Sequence, residues 1–129
     1  MSAFIDTNVL VYALTEDDQG DAARRVIPGG VISAQVMNEL VDVLRRKARL
    51  EWPRIRAAVS DLLTQLDPPL PLTAAVHYAA MDLADAHRLS WWDALIVASA
   101  LEAGCNTLWT EDMQDGRRFG RLTLRNPFA

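Results

Sequence analysis

Ala3-Phe4-Ile5-Asp6-Thr7-Asn8-Val9-Leu10-Val11-Tyr12 lies just inside the N-terminus. Ala3 to Asp6 reads as a short buried strand. Asp6-Thr7-Asn8 reads as a strand-to-helix junction, in which Thr7 or Asn8 caps a helix over Val9 to Leu14. A buried strand that passes straight into a helix is the opening unit of an α/β fold.

The rest of the chain repeats that alternation. Glu16-Asp17-Asp18-Gln19-Gly20 is a turn before a short helix over Asp21 to Val26, which Pro28-Gly29-Gly30 ends. Val31-Ile32 is a second strand. Ser33 stands where a cap belongs, and Ala34 to Ala48 carries Val36, Leu40, Val43 and Leu44 at helical spacing, flanked by Met37 and Val41. Trp52-Pro53 opens a helix to about Leu66, with Pro53 at a tolerated first-turn position. Pro68-Pro69-Leu70-Pro71-Leu72 is a stiff connector within one domain, and Thr73 caps a helix over Ala74 to His87. Ser90 caps Trp91 to Ala103, which is apolar nearly all round and so is expected at the centre of the fold, and Gly104 ends it. Thr107 to Thr110 and Leu122 to Leu124 complete the strands, with Glu111 to Gly116 a loop. Short strands each followed by helix predict a small parallel sheet flanked by helices.

With 129 residues, half of them hydrophobic, a single well-packed domain over 1–129 is expected. The longest apolar runs, Val9 to Leu14 and Trp91 to Leu101, are too short for a bilayer, so no membrane association is expected. The N-terminus shows no signal-peptide pattern, which predicts a cytoplasmic protein. Cys105 stands alone and reads as a small buried hydrophobe.

Four acids stand at segment edges yet sit in apolar sequence: Asp6 beside Phe4 and Ile5, Glu39 beside Met37 and Leu40, Asp93 beside Trp92 and Leu95, and Asp112 after Leu108-Trp109-Thr110. Buried carboxylates persist only when paired, hydrogen-bonded or bound to a cation. Asp6 and Asp112 follow strand ends, where α/β sheets bind ligands. Glu39 falls on the shoulder of its helix's apolar stripe, while Asp42 points toward water. Asp93 lies in the first turn of its helix, where the dipole favours an anion. Each has an ordinary reading as well: Asp6 as a helix cap, Ser90 with Asp93 as a capping box, Glu39 as a rim charge paired with Arg46, Asp112 as a turn residue. Four such coincidences weigh in favour of one shared site. Hard oxygen donors suit Mg²⁺ or Mn²⁺, and two such ions about 3.5–4 Å apart promote phosphodiester hydrolysis. Asn8 and Thr110 are placed to orient a carboxylate or a water.

The net charge of −4 argues at first against a nucleic-acid ligand. With the four acids set aside, the remaining acids match the 13 bases in number. Those bases are clustered at Arg24 and Arg25, at Arg45, Arg46, Lys47 and Arg49, at Arg54 and Arg56, and at Arg117, Arg118, Arg121 and Arg125. The simplest account of each cluster is a solvated helix face. Trp52, Trp91, Trp92 and Trp109 offer stacking faces for RNA bases, but packing is the expectation for them. His77 and His87 lack the spacing of a zinc pair.

Four stretches, in order, resemble the PIN-domain ribonucleases, in particular the VapC toxins of bacterial toxin-antitoxin pairs. They are Phe4-Ile5-Asp6-Thr7-Asn8-Val9-Leu10-Val11-Tyr12, Ile32-Ser33-Ala34-Gln35-Val36-Met37-Asn38-Glu39, Trp91-Trp92-Asp93-Ala94-Leu95-Ile96 and Leu108-Trp109-Thr110-Glu111-Asp112-Met113. The resemblance implies a three-layer α/β/α sandwich and endoribonuclease activity at an Mg²⁺ or Mn²⁺ pocket formed by Asp6, Glu39, Asp93 and Asp112, with Asn8 and Thr110 in support. It also implies a homodimer and a cognate antitoxin that lays a segment, often with an arginine, across the pocket. The Glu111-Asp112-Met113-Gln114-Asp115 cluster departs from the pattern by offering extra acids, so Asp115 is a candidate to supplement or replace Asp112. Two other readings remain: a non-catalytic module that holds a basic partner segment, and an aspartyl-phosphate phosphatase with Asp6 as nucleophile. Asn8 stands where that phosphatase chemistry usually wants a second acid.

Overall fold

The computed structural model describes residues 2–129. Its elements run β1 (Ala3–Ile5), α1 (Thr7–Tyr12), α2 (Asp18–Val26), α3 (Ala34–Arg46), α4 (Trp52–Leu63), α5 (Ala74–His87), α6 (Trp91–Glu102), β2 (Thr107–Trp109), β3 (Arg118–Phe119) and β4 (Leu122–Arg125). The sheet order is β1-β2-β4-β3. Phe4 pairs with Leu108 and Leu108 with Leu124, all parallel, while β3 runs antiparallel to β4. This fold is α/β, with helices flanking a small, mostly parallel sheet.

The edge beside β1 is finished by a segment too irregular to count as a strand. The Ile5 N–H donates to the Val31 carbonyl at 2.9 Å and the Val31 N–H to the Ala3 carbonyl at 2.8 Å, so the expected strand Val31-Ile32 is reduced to a parallel bridge. The proline connector continues this pairing, its Leu70 N–H donating to the Ile32 carbonyl at 2.9 Å. Glycine is required at position 30, because a Cβ there would lie 2.6 Å from the Ile5 side chain.

Phe4, Ile5, Leu108, Leu122 and Leu124 are fully buried against Val9 and Leu10 of α1 and Ile96, Val97 and Ala100 of α6. Each such large side chain contributes on the order of 1.5–3 kcal/mol by leaving water. Every residue of α6 from Ala94 to Ala100 is buried, which places this helix at the centre as its composition predicts. Val76 and Ala80 of α5 close over Ala94, Leu95 and Ala98.

Several boundaries differ from expectation. Asp6 itself caps α1, so that helix starts at Thr7 and not at Val9. Asp17 caps α2 by accepting the Gly20 N–H at 2.8 Å, which starts α2 three residues early and places Asp18 and Asp21 in its first turn. Helix α4 stops at Leu63 rather than Leu66. The two-residue strand β3 is not anticipated at all; it turns back into β4 through Gly120 at φ +59. Trp91 and Trp109 pack against the core as expected, whereas Trp52 and Trp92 do not. Trp52 is 47% and Trp92 60% exposed, while Trp91 and Trp109 are half-buried. Cys105 is buried as a free thiol. Among the described residues, no helix is long and apolar enough to cross a membrane.

Candidate functional site

Asp6 directly follows β1 and is 6% exposed. Its Oδ1 accepts the Thr7 N–H at 2.7 Å and its Oδ2 accepts the Thr110 hydroxyl at 2.8 Å, so both oxygens are pinned. Thr110 follows β2 and is 1% exposed; its hydroxyl oxygen also accepts the Asp112 N–H at 3.2 Å. One threonine thereby ties the ends of the neighbouring strands β1 and β2 together and sets the path of the Asp112 loop. The Asn8 amide donates to Asp112 Oδ2 at 2.5 Å, from the first turn of α1.

Glu39 enters from α3, half-buried, and its Oε1 accepts from the Thr7 hydroxyl at 3.2 Å and from Gln35 Nε2 at 3.2 Å. The same Gln35 nitrogen donates to the Trp92 carbonyl at 3.3 Å, joining α3 to the first turn of α6. Asp93 lies in that turn, half-buried, with its N–H donating to the Ser90 cap hydroxyl at 3.2 Å.

Burial pushes the Asp6 carboxyl up to about 6, against the stabilising hydrogen bonds from Thr110 and Thr7, and the charges of Asp112 and Glu39 add to the rise. Glu39 is raised by burial too, opposed by its bonds from Thr7 and Gln35 and reinforced by Asp93 and Asp112. Asp112 shifts the same way through partial burial, Glu111 and Asp93, opposed by Asn8 and by Lys47. Asp6, Glu39 and Asp112 thus each feel negative charge from other members of the set, which come from separate stretches of the chain.

Among the described residues no base forms an ion pair with any of the four, although the charge of Lys47 acts on Asp112. Among the described residues the ion pairs are Arg24–Asp21, Arg45–Glu51 and Arg46–Asp42, none of which includes the four. Arg46 therefore takes Asp42 and not Glu39 as its partner. Asp115 also stands apart: its Oδ1 accepts the Asn126 N–H at 2.8 Å, and it borders a surface cleft with Arg25 and Arg125. Glu111 accepts from the Tyr12 hydroxyl at 3.1 Å, which leaves Asp112 as the acid of that loop bonded to Asn8.

Among the described residues, no three Asp, Glu, His or Cys groups converge closely enough to enclose an ion directly. Asp6 is linked to Glu39 through Thr7 and to the Asp112 loop through Thr110, and the charge of Asp93 acts on Glu39 and Asp112, so the four acids form an open ring. Such a set of hard oxygens, partly buried and without ion-pair partners among the described residues, fits a hydrated divalent ion of the Mg²⁺ or Mn²⁺ kind, which retains several waters when it binds carboxylates. Thr7 and Gln35 belong to the ring and were not singled out from sequence. Gln35 carried one signal, its position four residues before Glu39 on the same helical face.

The PIN domain family model matches residues 3–120 of the chain. The fold is similar to the VapBC2 complex of Rickettsia felis bound to a DNA fragment from its promoter (TM-score 0.73, 20% identity, 98% of each chain covered). It is also similar to VapC20 of Mycobacterium tuberculosis, described as a toxin that cleaves the sarcin-ricin loop (0.68, 23%, 85% of this chain and 89% of that one). A toxin-antitoxin complex from Klebsiella pneumoniae gives 0.74 at 17% identity over 97% of both chains. No curated protein matches the sequence. A family match spanning nearly the whole sequence, on a fold with these relatives, establishes that the chain belongs to the PIN domain family.

Proposed function

We propose that this chain is a metal-dependent endoribonuclease, the VapC-type toxin of a toxin-antitoxin pair, acting as one domain over residues 1–129. The observation that carries the reading is the ring itself: Asp6, Glu39, Asp93 and Asp112 come from four separate stretches of the chain, Asp6, Glu39 and Asp112 are each raised in proton affinity partly by the negative charges around them, and none of the four is in an ion pair among the described residues. Asp6, Glu39 and Asp93 would hold Mg²⁺ or Mn²⁺, with Asp112 completing the site. The bound ion supplies charge neutralisation and an activated water for phosphodiester hydrolysis. The remaining work falls to the protein. Thr110 and Thr7 hold Asp6 with both oxygens fixed, and Asn8 holds Asp112.

RNA has two points of purchase beside the ring. The indole of Trp92, exposed and adjacent to Asp93, offers a stacking face to an unpaired base. Lys47 has a charge that reaches Asp112, and neither it nor Arg49, Arg54 or Arg56 has an ion-pair partner among the described residues. These unpaired bases would supply phosphate attraction that a net charge of −4 withholds. The toxin-antitoxin complexes among the similar folds support an antitoxin partner, whose basic segment would neutralise the same ring. Homodimerisation, which would cover exposed Tyr78 and Met81 on α5, and a cytoplasmic location belong to the same reading.

Incubating RNA with the purified protein tests it. Cleavage is expected with Mn²⁺ or Mg²⁺ and is expected to vanish with chelator and in Asp93→Asn. Chelator-resistant cleavage would contradict the reading.

A further inference from the structure

The register of the sheet decides which side chains share a face. Ala3, Thr107 and Thr123 are paired in one row and Ile5, Trp109 and Arg125 in the next, and directly paired residues point to the same side. Arg118 pairs with Thr123 across the antiparallel edge and joins that side. Phe4, Leu108 and Leu124 point to the other side and are fully buried. The first side is covered over Ile5, which Gly30 approaches closely. Over β2 and β4 it is open, with Thr107, Trp109 and Thr123 half-buried and Arg118 and Arg125 exposed.

Among the described residues, three clefts run along this open face. The first, of about 480 Å³, is bordered by Arg25 of α2, Trp109 and Arg125; the second, of about 570 Å³, by Trp109, Arg125 and Arg121; the third by Arg121 and Asn106. Each shares residues with the next, so they form one trough, and the first two are large enough for a nucleotide-sized group. Arg25, Arg118, Arg121 and Arg125 are all exposed, and none is in an ion pair among the described residues. The middle cleft is lined by no acid, while Asp115 in the first accepts the Asn126 N–H and Asp67 stands in the third.

Positive charge at intervals beside an aromatic wall suits a polyanion whose units carry flat bases. The guanidinium groups match phosphate geometry, and Trp109, standing between the first two clefts, offers its ring to an unpaired base. An acidic peptide would use the arginines and leave the indole idle. The trough also adjoins the acid ring. Thr110, the residue after Trp109, donates its hydroxyl to Asp6 and its N–H to the Arg125 carbonyl at 3.0 Å.

We propose that this open face of the sheet is a second binding surface for single-stranded RNA, holding the strand beyond the bond cut at the acid ring: Arg25, Arg121 and Arg125 take phosphates and Trp109 stacks on a base. This rests on the reading of the chain as a ribonuclease, and it needs no metal ion.

The test is fluorescence anisotropy of a labelled single-stranded RNA with the full chain in chelator, across a salt series, with circular dichroism to establish folding. Arg121→Gln/Arg125→Gln is expected to bind at least about tenfold more weakly, with a salt slope lower by about 1.4, since each phosphate contact on a single strand accounts for about 0.7. If that variant does not fold, Arg25→Gln/Arg121→Gln carries the same expectation. Arg46→Gln/Arg88→Gln removes the same charge from α3 and from the end of α5, outside the trough, and is expected to stay within about threefold of wild type. Equal losses in the two double variants would reduce the effect to net charge and overturn the proposal, as would unchanged RNA affinity in the first. Displacement of the RNA by poly-glutamate at equal charge would assign the face to an acidic protein and overturn it too. Cleavage with Mn²⁺ separates this proposal from the reading beneath it. Wild type that cuts RNA while the trough variants bind it normally overturns the second surface alone, whereas wild type that cuts no RNA with any divalent ion overturns the nuclease reading.

Discussion

Asp6 is the residue on which the site's energetics turn. Its carboxyl is raised from the ordinary 3.8 to about 6, so between those values the native state binds more protons than the unfolded chain. Stability in chelator is therefore highest below about pH 4, falls as pH rises toward 6, and stays lower above it, by about 3 kcal/mol if Asp6 acted alone. Glu39 and Asp112 are raised as well and act in the same direction. Urea denaturation of the metal-free protein from pH 4 to pH 7 should show this slope, and Asp6→Asn should flatten it and be the more stable protein at pH 7. A wild-type midpoint that climbs over that range would contradict the shift. Thr110→Val, which keeps the shape but deletes the hydroxyl between Asp6 and the Asp112 N–H, should cost about 1–3 kcal/mol in the same assay. At this scale the sequence shows the four acids, because a charge among Phe4, Ile5, Leu40 and Leu95 is conspicuous by composition alone. It does not show Thr7 and Gln35, whose roles exist only once α1, α3 and α6 are side by side, nor that Asp115 turns to Asn126.

Elements are legible where a periodic apolar face meets a cap. Helices α3, α5 and α6 follow Ser33, Thr73 and Ser90, and each of those hydroxyls accepts from a helix N–H as the sequence implies. Strand β3 is invisible because two residues carry no period, and its antiparallel pairing depends on where β4 already lies. The segment at Val31 reads as a strand by composition but lacks the length for a full ladder. Ser90→Ala should lower stability by about 1 kcal/mol by removing the cap of α6, and because Asp93 donates to that cap it should also weaken Mn²⁺ binding. A calorimetric titration would find both effects or refute the link. Gly30→Ala drives a methyl group into Ile5, and thermal unfolding should report a loss of about 1–3 kcal/mol.

Over the whole molecule, an acidic ring with the charge of Lys47 reaching one of its carboxylates gives a chain of net charge −4 a point of attraction for a polyanion. Without a cation the ring would repel phosphate; with one, the ring and Lys47 would attract it together. Lys47→Glu and Trp92→Ala should each weaken RNA binding while leaving Mn²⁺ affinity within a few-fold of wild type, and the Lys47 variant should also reduce the salt dependence of binding. Fluorescence anisotropy with a labelled single-stranded RNA separates these effects, and RNA affinity unchanged in both variants would place the substrate path elsewhere. The measurement that bears most directly on the central claim is RNA cleavage by wild type and Asp6→Asn across a Mn²⁺ titration. We predict that wild-type cleavage rises from zero with Mn²⁺ while the folded variant stays inactive at every concentration. Equal cleavage by the two proteins would contradict the account.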